Sequence, residues 1–177
     1  GGYLIYRGGW PILVVGVISI VSGWLYTGGP KPLGYLGLGD LFVLIFFGPV
    51  AVAGTYYVQA LELEPAVVAA GLSPGLLSVA VLVVNNLRDI RQDRRAGKRT
   101  LAVRFGAGFA RKQYAFCIAL AVAIPVVMAF MSPGRLGLLV CLVVLPLAWP
   151  TVNRVFTTDG PELNPLLAST ARLLLSY

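Results

Sequence analysis

The stretch NNLRDIRQDRRAGKRTLAVRFG, Asn85 to Gly106, concentrates the side chains most able to do chemistry. If a helix persists to Gly97, the 100° step per residue puts Asn85, Asp89 and Asp93 on one face, each four apart, with Asn86 beside them. Two carboxylates at that spacing repel by about 0.2–0.5 kcal/mol on an exposed helix. A cation four residues further on would relieve the repulsion, but Asp89 is followed there by Asp93, and Asp93 by Gly97. Arg88, Arg91 and Arg95 fall on a different face. The stripe predicts an external cation. Magnesium suits it, because that ion takes oxygen ligands, keeps several waters and binds through one or two carboxylates plus substrate phosphates. Lys98 and Arg99, beyond the helix-breaking Gly97, could pair with the remaining phosphate oxygens. The alternative from the same residues is that Asp89 and Asp93 are solvated acids balancing a basic loop.

The elements that must position this stripe are membrane spans. Of 177 residues, 58% are hydrophobic and 12% charged, whereas soluble domains carry roughly a quarter charged residues. A globular core of this length cannot hide that much apolar surface; lipid removes the need. With no histidine, any metal is a hard, oxygen-liganded one or is absent. Cys117 and Cys141 lie in apolar runs without paired spacing and read as small core residues.

Runs long enough to cross roughly 30 Å of hydrocarbon are Trp10–Tyr26, Asp40–Leu61, Pro65–Leu87, Gln113–Met131 and Leu136–Val152, with a sixth beginning near Pro165. Internal prolines at 74, 125 and 146 are tolerated in membrane helices, where neighbours satisfy the freed carbonyls. The fold class is therefore all-α, a multi-pass transmembrane helical bundle. The chain opens at Gly1 without methionine and stops at Tyr177 inside an apolar run. This predicts one transmembrane domain, residues 1–177, truncated at both ends.

Alternating the spans gives one side Lys31, the nine cations from Arg88 to Lys112, and Arg154; the other side receives Arg7 and Arg135. Positive loops stay in the cytoplasm, so the Arg88–Lys112 segment is expected there, with the chain multi-pass in the cell (inner or plasma) membrane. That charge needs no purpose beyond topology, and no nucleic-acid partner is expected.

The segment Asn85–Gly106 resembles the second aspartate-rich motif of the UbiA-type prenyltransferases, and most of all the branch that prenylates 1,4-dihydroxy-2-naphthoate on the way to menaquinone. There, an NNxRD–xxx–D core followed by GKxTLAVRxG is characteristic. The stretch GWLYTGGPKPLGYLGLGDLFVLIFFGPVAVAGTYYVQ, Gly23 to Gln59, is similar to the same branch. The resemblance implies that Asp89 and Asp93 bind Mg2+, supported by Asn85, and that Arg99 and Lys98 contact diphosphate. It places Tyr26 and Lys31 near the substrate, though Lys31 follows Tyr26 by five residues where the related pattern often has four. Tyr26 also reads as an interfacial belt aromatic. Asn86 is a substrate-binding candidate; Asp40 and Gln59 are weaker ones, and Asp40 could equally be the N-cap of its helix.

The implied reaction is ionisation of an allylic polyprenyl diphosphate in an apolar cleft, attack by the ring of 1,4-dihydroxy-2-naphthoate, and loss of CO2 and diphosphate. The family carries a first motif of the kind NDxxDxxxD that is absent here, so the chain alone is expected to be inactive. Three rivals remain at this point. One is a sister prenyltransferase with another aromatic acceptor, and one is a non-catalytic membrane subunit or degenerate homologue. The third is a fragment of a major-facilitator-type transporter, which Asp93–Arg99 resembles through its DRxGRR-like loop. Position 89, an aspartate here, is normally glycine in that loop, and the Asn85–Asn86 pair has no place in it.

Overall fold

A computed structural model of the chain describes residues 1–28, 32–131 and 133–177. Its helices in chain order are α1 (Gly2–Thr27), α2 (Gly39–Ile45), α3 (Ala51–Ala60), α4 (Pro65–Arg88), α5 (Ile90–Arg95), α6 (Leu101–Met131), α7 (Leu145–Thr157) and α8 (Asn164–Ser176). No strand occurs among the described residues. Among the described residues five helical stretches are long and apolar enough to cross a membrane: Gly2–Thr27, Gly39–Ala60, Pro65–Arg88, Leu101–Met131 and Gly134–Thr157. The all-α multi-pass membrane bundle expected from composition is the fold observed.

The spans differ from the sequence reading where glycine and proline bend them. α1 begins eight residues before Trp10, but leaves helical geometry at Gly9 (φ 66°, ψ −155°), two residues ahead of Pro11. The expected start at Trp10 is thus the start of its longer straight part. The Asp40–Leu61 run is two helices, α2 and α3, joined by a wide π-type turn, Phe46–Val50. Pro49 has no N–H to donate and drives the preceding residue out of the α region; Gly48 takes φ −108°, ψ −110°. That bend meets α4 at a patch of small residues. A methyl on Gly48 would lie 2.7 Å from the Gly71 carbonyl oxygen and 2.9 Å from the Gly75 Cα, so the backbones touch only because all three are glycine.

α6 is the larger correction. It starts at Leu101 rather than Gln113, with the Thr100 hydroxyl accepting from the Val103 N–H at 3.3 Å as an N-cap does. Charged residues such as Arg104 and Arg111 interrupt an apolar run without interrupting a helix. Gly106 (φ 84°, ψ 174°) separates the first turn from the rest. The fifth run enters as a 3₁₀ helix, Pro133–Val144, before α7.

α4 is the centre of the bundle. Fifty-six per cent of its most apolar stretch is buried, against 6% for α1, and it packs on α6, α8, α2 and the Gly48 bend. Its core includes Leu77, Val83 and Val84, joined by Tyr114 and Ala121 of α6 and Leu166 of α8. The Tyr114 and Thr170 hydroxyls share a hydrogen bond of 3.0 Å in that core, so neither is left unsatisfied. Aromatics on the outer faces, such as Trp10, Trp24, Phe130 and Trp149, are exposed, as lipid contact requires.

Polar contacts sort to two ends. At one end the Arg99 N–H donates to Tyr35 O (2.9 Å), Arg88 to Asn164 (3.0 Å) and Arg111 to Asp159 (2.8 Å). Arg135 and Glu64 pair (3.6 Å) between the turn after α3 and the turn after α6.

Candidate active site

α4 hands over to α5 at Asp89, whose backbone (φ −98°, ψ 8°) leaves the helical region. The hydrogen-bond ladder nonetheless continues, from Asp89 N–H to Asn85 O (3.1 Å) and from Asp93 N–H to Asp89 O (2.8 Å). α5 then closes with Gly97 left-handed (φ 73°), where the Lys98 N–H donates to Asp93 O (2.9 Å) and the Gly97 N–H to Arg94 O (3.2 Å). This is the double reverse bond of a glycine-capped helix end. It turns the chain back, and the Lys98 ammonium lies 2.9 Å from Asp93 Oδ1. The helix-breaking glycine therefore places the lysine.

The bend at Asp89 divides the stripe. Asn85, Asn86, Asp93 and Lys98 line a cavity of about 300 Å3 with Tyr26 and Asp40. Asp89 lines a neighbouring, more open cavity of about 980 Å3 with Arg88, Gln92 and Asn164. The straight-helix expectation that all three oxygen side chains share one face is corrected: Asp93 and Asn85 share a cavity, and Asp89 lies around the bend. The expectation that the acids lack cations of their own is also corrected. Arg88 Nε and Nη2 donate to the two carboxylate oxygens of Asp89 at 2.7 and 2.6 Å, and Nη2 also donates to Asn85 Oδ1 at 2.8 Å. That fork holds the Asp89 carboxyl below the usual carboxylate range. The Asp93 carboxylate beside Lys98 raises the ammonium above its ordinary value.

Five of the remaining residues singled out in the sequence fall as follows. Tyr26 reaches the cavity from the end of α1, with its hydroxyl within electrostatic reach of Asp40, Lys98 and Asp93. Asp40 is not an N-cap: Leu38 occupies that position, and Asp40 Oδ1 accepts from Gln113 Nε2 of α6 at 2.9 Å. Arg99 is exposed, and the bond seen from it is made by its backbone to the 33–36 turn. Gln59 does not line this cavity. It bonds back to Thr55 O (3.0 Å) beside Tyr3 and Arg7. Lys31 lies outside the described residues.

The turn 33–38 closes the cavity. Gly37 is left-handed (φ 77°), and its Cα backs directly onto the Arg99 carbonyl. Tyr35 stacks under the Lys98 ammonium, 5.7 Å from ring centroid to Nζ. Tyr35, Thr100 and Gln113 were not singled out from sequence. Gln113 could not have been, since its partner is 73 residues away. Beside Tyr26 and Thr27 opens a second, apolar cavity of about 650 Å3, walled by Phe42, Phe46 and Phe47.

Among the described residues no three His, Cys, Asp or Glu side chains gather as a self-contained metal cluster. The donor set fits a hard cation shared with a phosphate ligand: Asp93, nearly buried, stands with two amide oxygens, and Asp89 is one turn away. Each ion-paired carboxylate oxygen keeps a lone pair to offer.

Residues 1–168 match the UbiA prenyltransferase family. Over 167 residues the chain is 45% identical to the 1,4-dihydroxy-2-naphthoate octaprenyltransferase of Mycobacterium tuberculosis, covering 94% of this chain and 56% of that protein. It is 43% identical to the protein of the same name from Haemophilus influenzae, covering 91% and 53%. It is also 35% identical to the mouse UbiA prenyltransferase domain-containing protein 1, covering 97% and 46%. The chain spans about half the length of these relatives. The transporter reading is set aside, and the chain belongs to the UbiA prenyltransferase family.

Proposed function

We propose that this chain, within a protein of its relatives' length, transfers a polyprenyl group from an allylic polyprenyl diphosphate to 1,4-dihydroxy-2-naphthoate. Diphosphate and CO2 leave, and demethylmenaquinol forms. The observation that carries the reading is the join at Tyr26 and Thr27, where a polar cavity holding Asp93, Lys98 and two asparagines meets an apolar one. A prenyl diphosphate has the same division, a highly charged head on an isoprenoid tail. The names of the relatives supply the acceptor.

Lys98, charged at neutral pH and half-exposed at the cavity, pairs with diphosphate oxygens, and Tyr35 steadies its ammonium. Arg99, exposed one residue further on, is the second proposed diphosphate contact. Asp93, Asn85 and Asn86, with Asp89 from across the bend, would hold Mg2+. When bound, that ion supplies the positive charge that makes diphosphate a good leaving group. The allylic C–O bond breaks with its electron pair on the diphosphate. The ring carbon that bears the carboxylate then bonds to the allylic carbon as CO2 departs. Phe42, Phe46 and Phe47 keep water from the cation. Residues 1–177 alone carry one aspartate-rich segment and do not catalyse transfer. The protein resides in the plasma membrane, with residues 88–112 on the cytoplasmic side.

The test is to reconstitute the protein at its relatives' length with 1,4-dihydroxy-2-naphthoate and a series of prenyl diphosphates, and to weigh the products. The expected product is the prenylated, decarboxylated ring. Absence of any prenylated aromatic overturns the reading.

A further inference from the structure

At this end of the bundle Asp89 is forked by Arg88, Asp93 meets Lys98 and Asp159 meets Arg111. Among the described residues Asp40 has no ion-pair partner. Its bond is to the neutral amide of Gln113, 2.9 Å away on α6. A carboxylate at the start of a membrane span is costly unless a partner or a ligand repays it. It does not cap α2, since the N-cap is Leu38 with no side-chain bond. It lines the same cavity as Asn85, Asn86, Asp93 and Lys98. The packing around it is tight: a methyl on Gly39 would lie 2.9 Å from the Tyr26 hydroxyl. Tyr26 thus borders Asp40, the polar cavity and the apolar cavity at once.

A bare carboxylate repels a diphosphate. It attracts a hydroxyl, to which it can only be an acceptor. We propose that Asp40, oriented by Gln113, is the acceptor-side anchor: it receives a hydrogen bond from a ring hydroxyl of the aromatic substrate. Gln113 occupies Oδ1, fixing the carboxylate plane, and the remaining lone pairs of the carboxylate take the hydroxyl. A charge-assisted bond of this kind pushes electron density into the ring and makes the attacking carbon more nucleophilic. No proton has to leave for the atoms to balance. Asp40 touches the substrate; Gln113 acts through Asp40 and is a positioning residue. This assignment rests on the transferase reading above and adds the residue that selects a hydroxylated acceptor.

The experiment compares wild type, Asp40→Asn and Gln113→Ala in the reconstituted protein at its relatives' length. The acceptors are 1,4-dihydroxy-2-naphthoate and its mono-methyl ethers. In Asp40→Asn, kcat/KM for the dihydroxy acceptor is expected to fall about ten- to a hundredfold, the loss typical of a hydrogen bond to a charged group. The donor KM stays within about twofold of wild type. Discrimination against the methyl ether that blocks the anchored hydroxyl collapses towards unity. Gln113→Ala shows the same acceptor-specific pattern in weaker form. If Asp40→Asn does not accumulate in the membrane, the Gln113→Ala pattern alone decides. Equal losses for the dihydroxy acceptor and every methyl ether, a raised donor KM, or unchanged kinetics overturns the assignment. An inactive wild-type protein instead overturns the transferase reading itself.

Discussion

At Asp89 both carboxylate oxygens accept from one guanidinium, that of Arg88, and the carboxyl is held below its usual range. The unfolded value is about 3.9, so the stability this fork contributes is complete above about pH 4 and is lost as pH falls through the lower folded value. Lys98 runs the other way. Its value is raised by Asp93, so its contribution is complete below about pH 10 and is lost as pH rises through the higher folded value. Between those limits neither Asp89 nor Lys98 titrates. Arg88→Ala is therefore expected to lower the melting temperature of the detergent-solubilised protein at pH 7. It should also remove part of the wild-type fall in melting temperature below about pH 4. Parallel acid profiles in the two proteins contradict the fork's role. The residue types and spacing of Asn85, Asp89 and Asp93 were legible in the sequence. What was not legible is that Arg88 folds back onto residues 85 and 89, because an i+4 rule on a straight helix does not consider the preceding neighbour or a bend.

Helix ends and bends decide which of these side chains meet. The kink at Asp89 sends one aspartate to each of two cavities, and the Gly97 cap returns Lys98 to Asp93. The Gly97 break could be read from sequence; the kink could not, since nothing at position 89 forbids a continuous helix. The start of α6 at Leu101 was hidden for a related reason. Hydropathy locates what lipid covers, whereas the first turns of α6 carry Arg104, Arg111 and Lys112 and are helical outside the apolar run. Pro74 and Pro125 lie inside helices as expected, whereas Pro146 opens the first turn of α7, and Pro49 builds the bend that seats Gly48 on Gly71 and Gly75. A Val side chain at position 75 would begin with a Cβ 2.7 Å from the Leu44 carbonyl oxygen. Gly75→Val is expected to cost about 1–3 kcal/mol by overpacking, read as a lowered midpoint in denaturant unfolding in detergent, and Gly54→Ala, where a methyl meets open space, far less. Equal midpoints for the two variants contradict the close approach.

Across the whole molecule, five apolar helical stretches among the described residues and a cluster of cations at one end make a bundle with its candidate site at that end. Span number, helical class and the Asn85–Lys98 locus were legible because each is a local pattern of hydropathy or spacing. The pairing of Asp40 with Gln113, and the apolar cavity that opens at Tyr26, depend on contacts between distant helices and had no local signal. In the proposed reaction Asp93, Lys98 and the two asparagines receive a diphosphate head with Mg2+ while the tail lies among Phe42, Phe46 and Phe47. The most direct test of that reaction is prenyl transfer by the protein at its relatives' length, measured for wild type, Asp93→Ala and Asp89→Ala, each with EDTA and after Mg2+ is restored. Wild-type turnover is expected to vanish with the chelator and return with Mg2+, and both variants to lose about a hundredfold or more. Transfer at the wild-type rate in Asp93→Ala, or indifference of the wild type to EDTA, contradicts it.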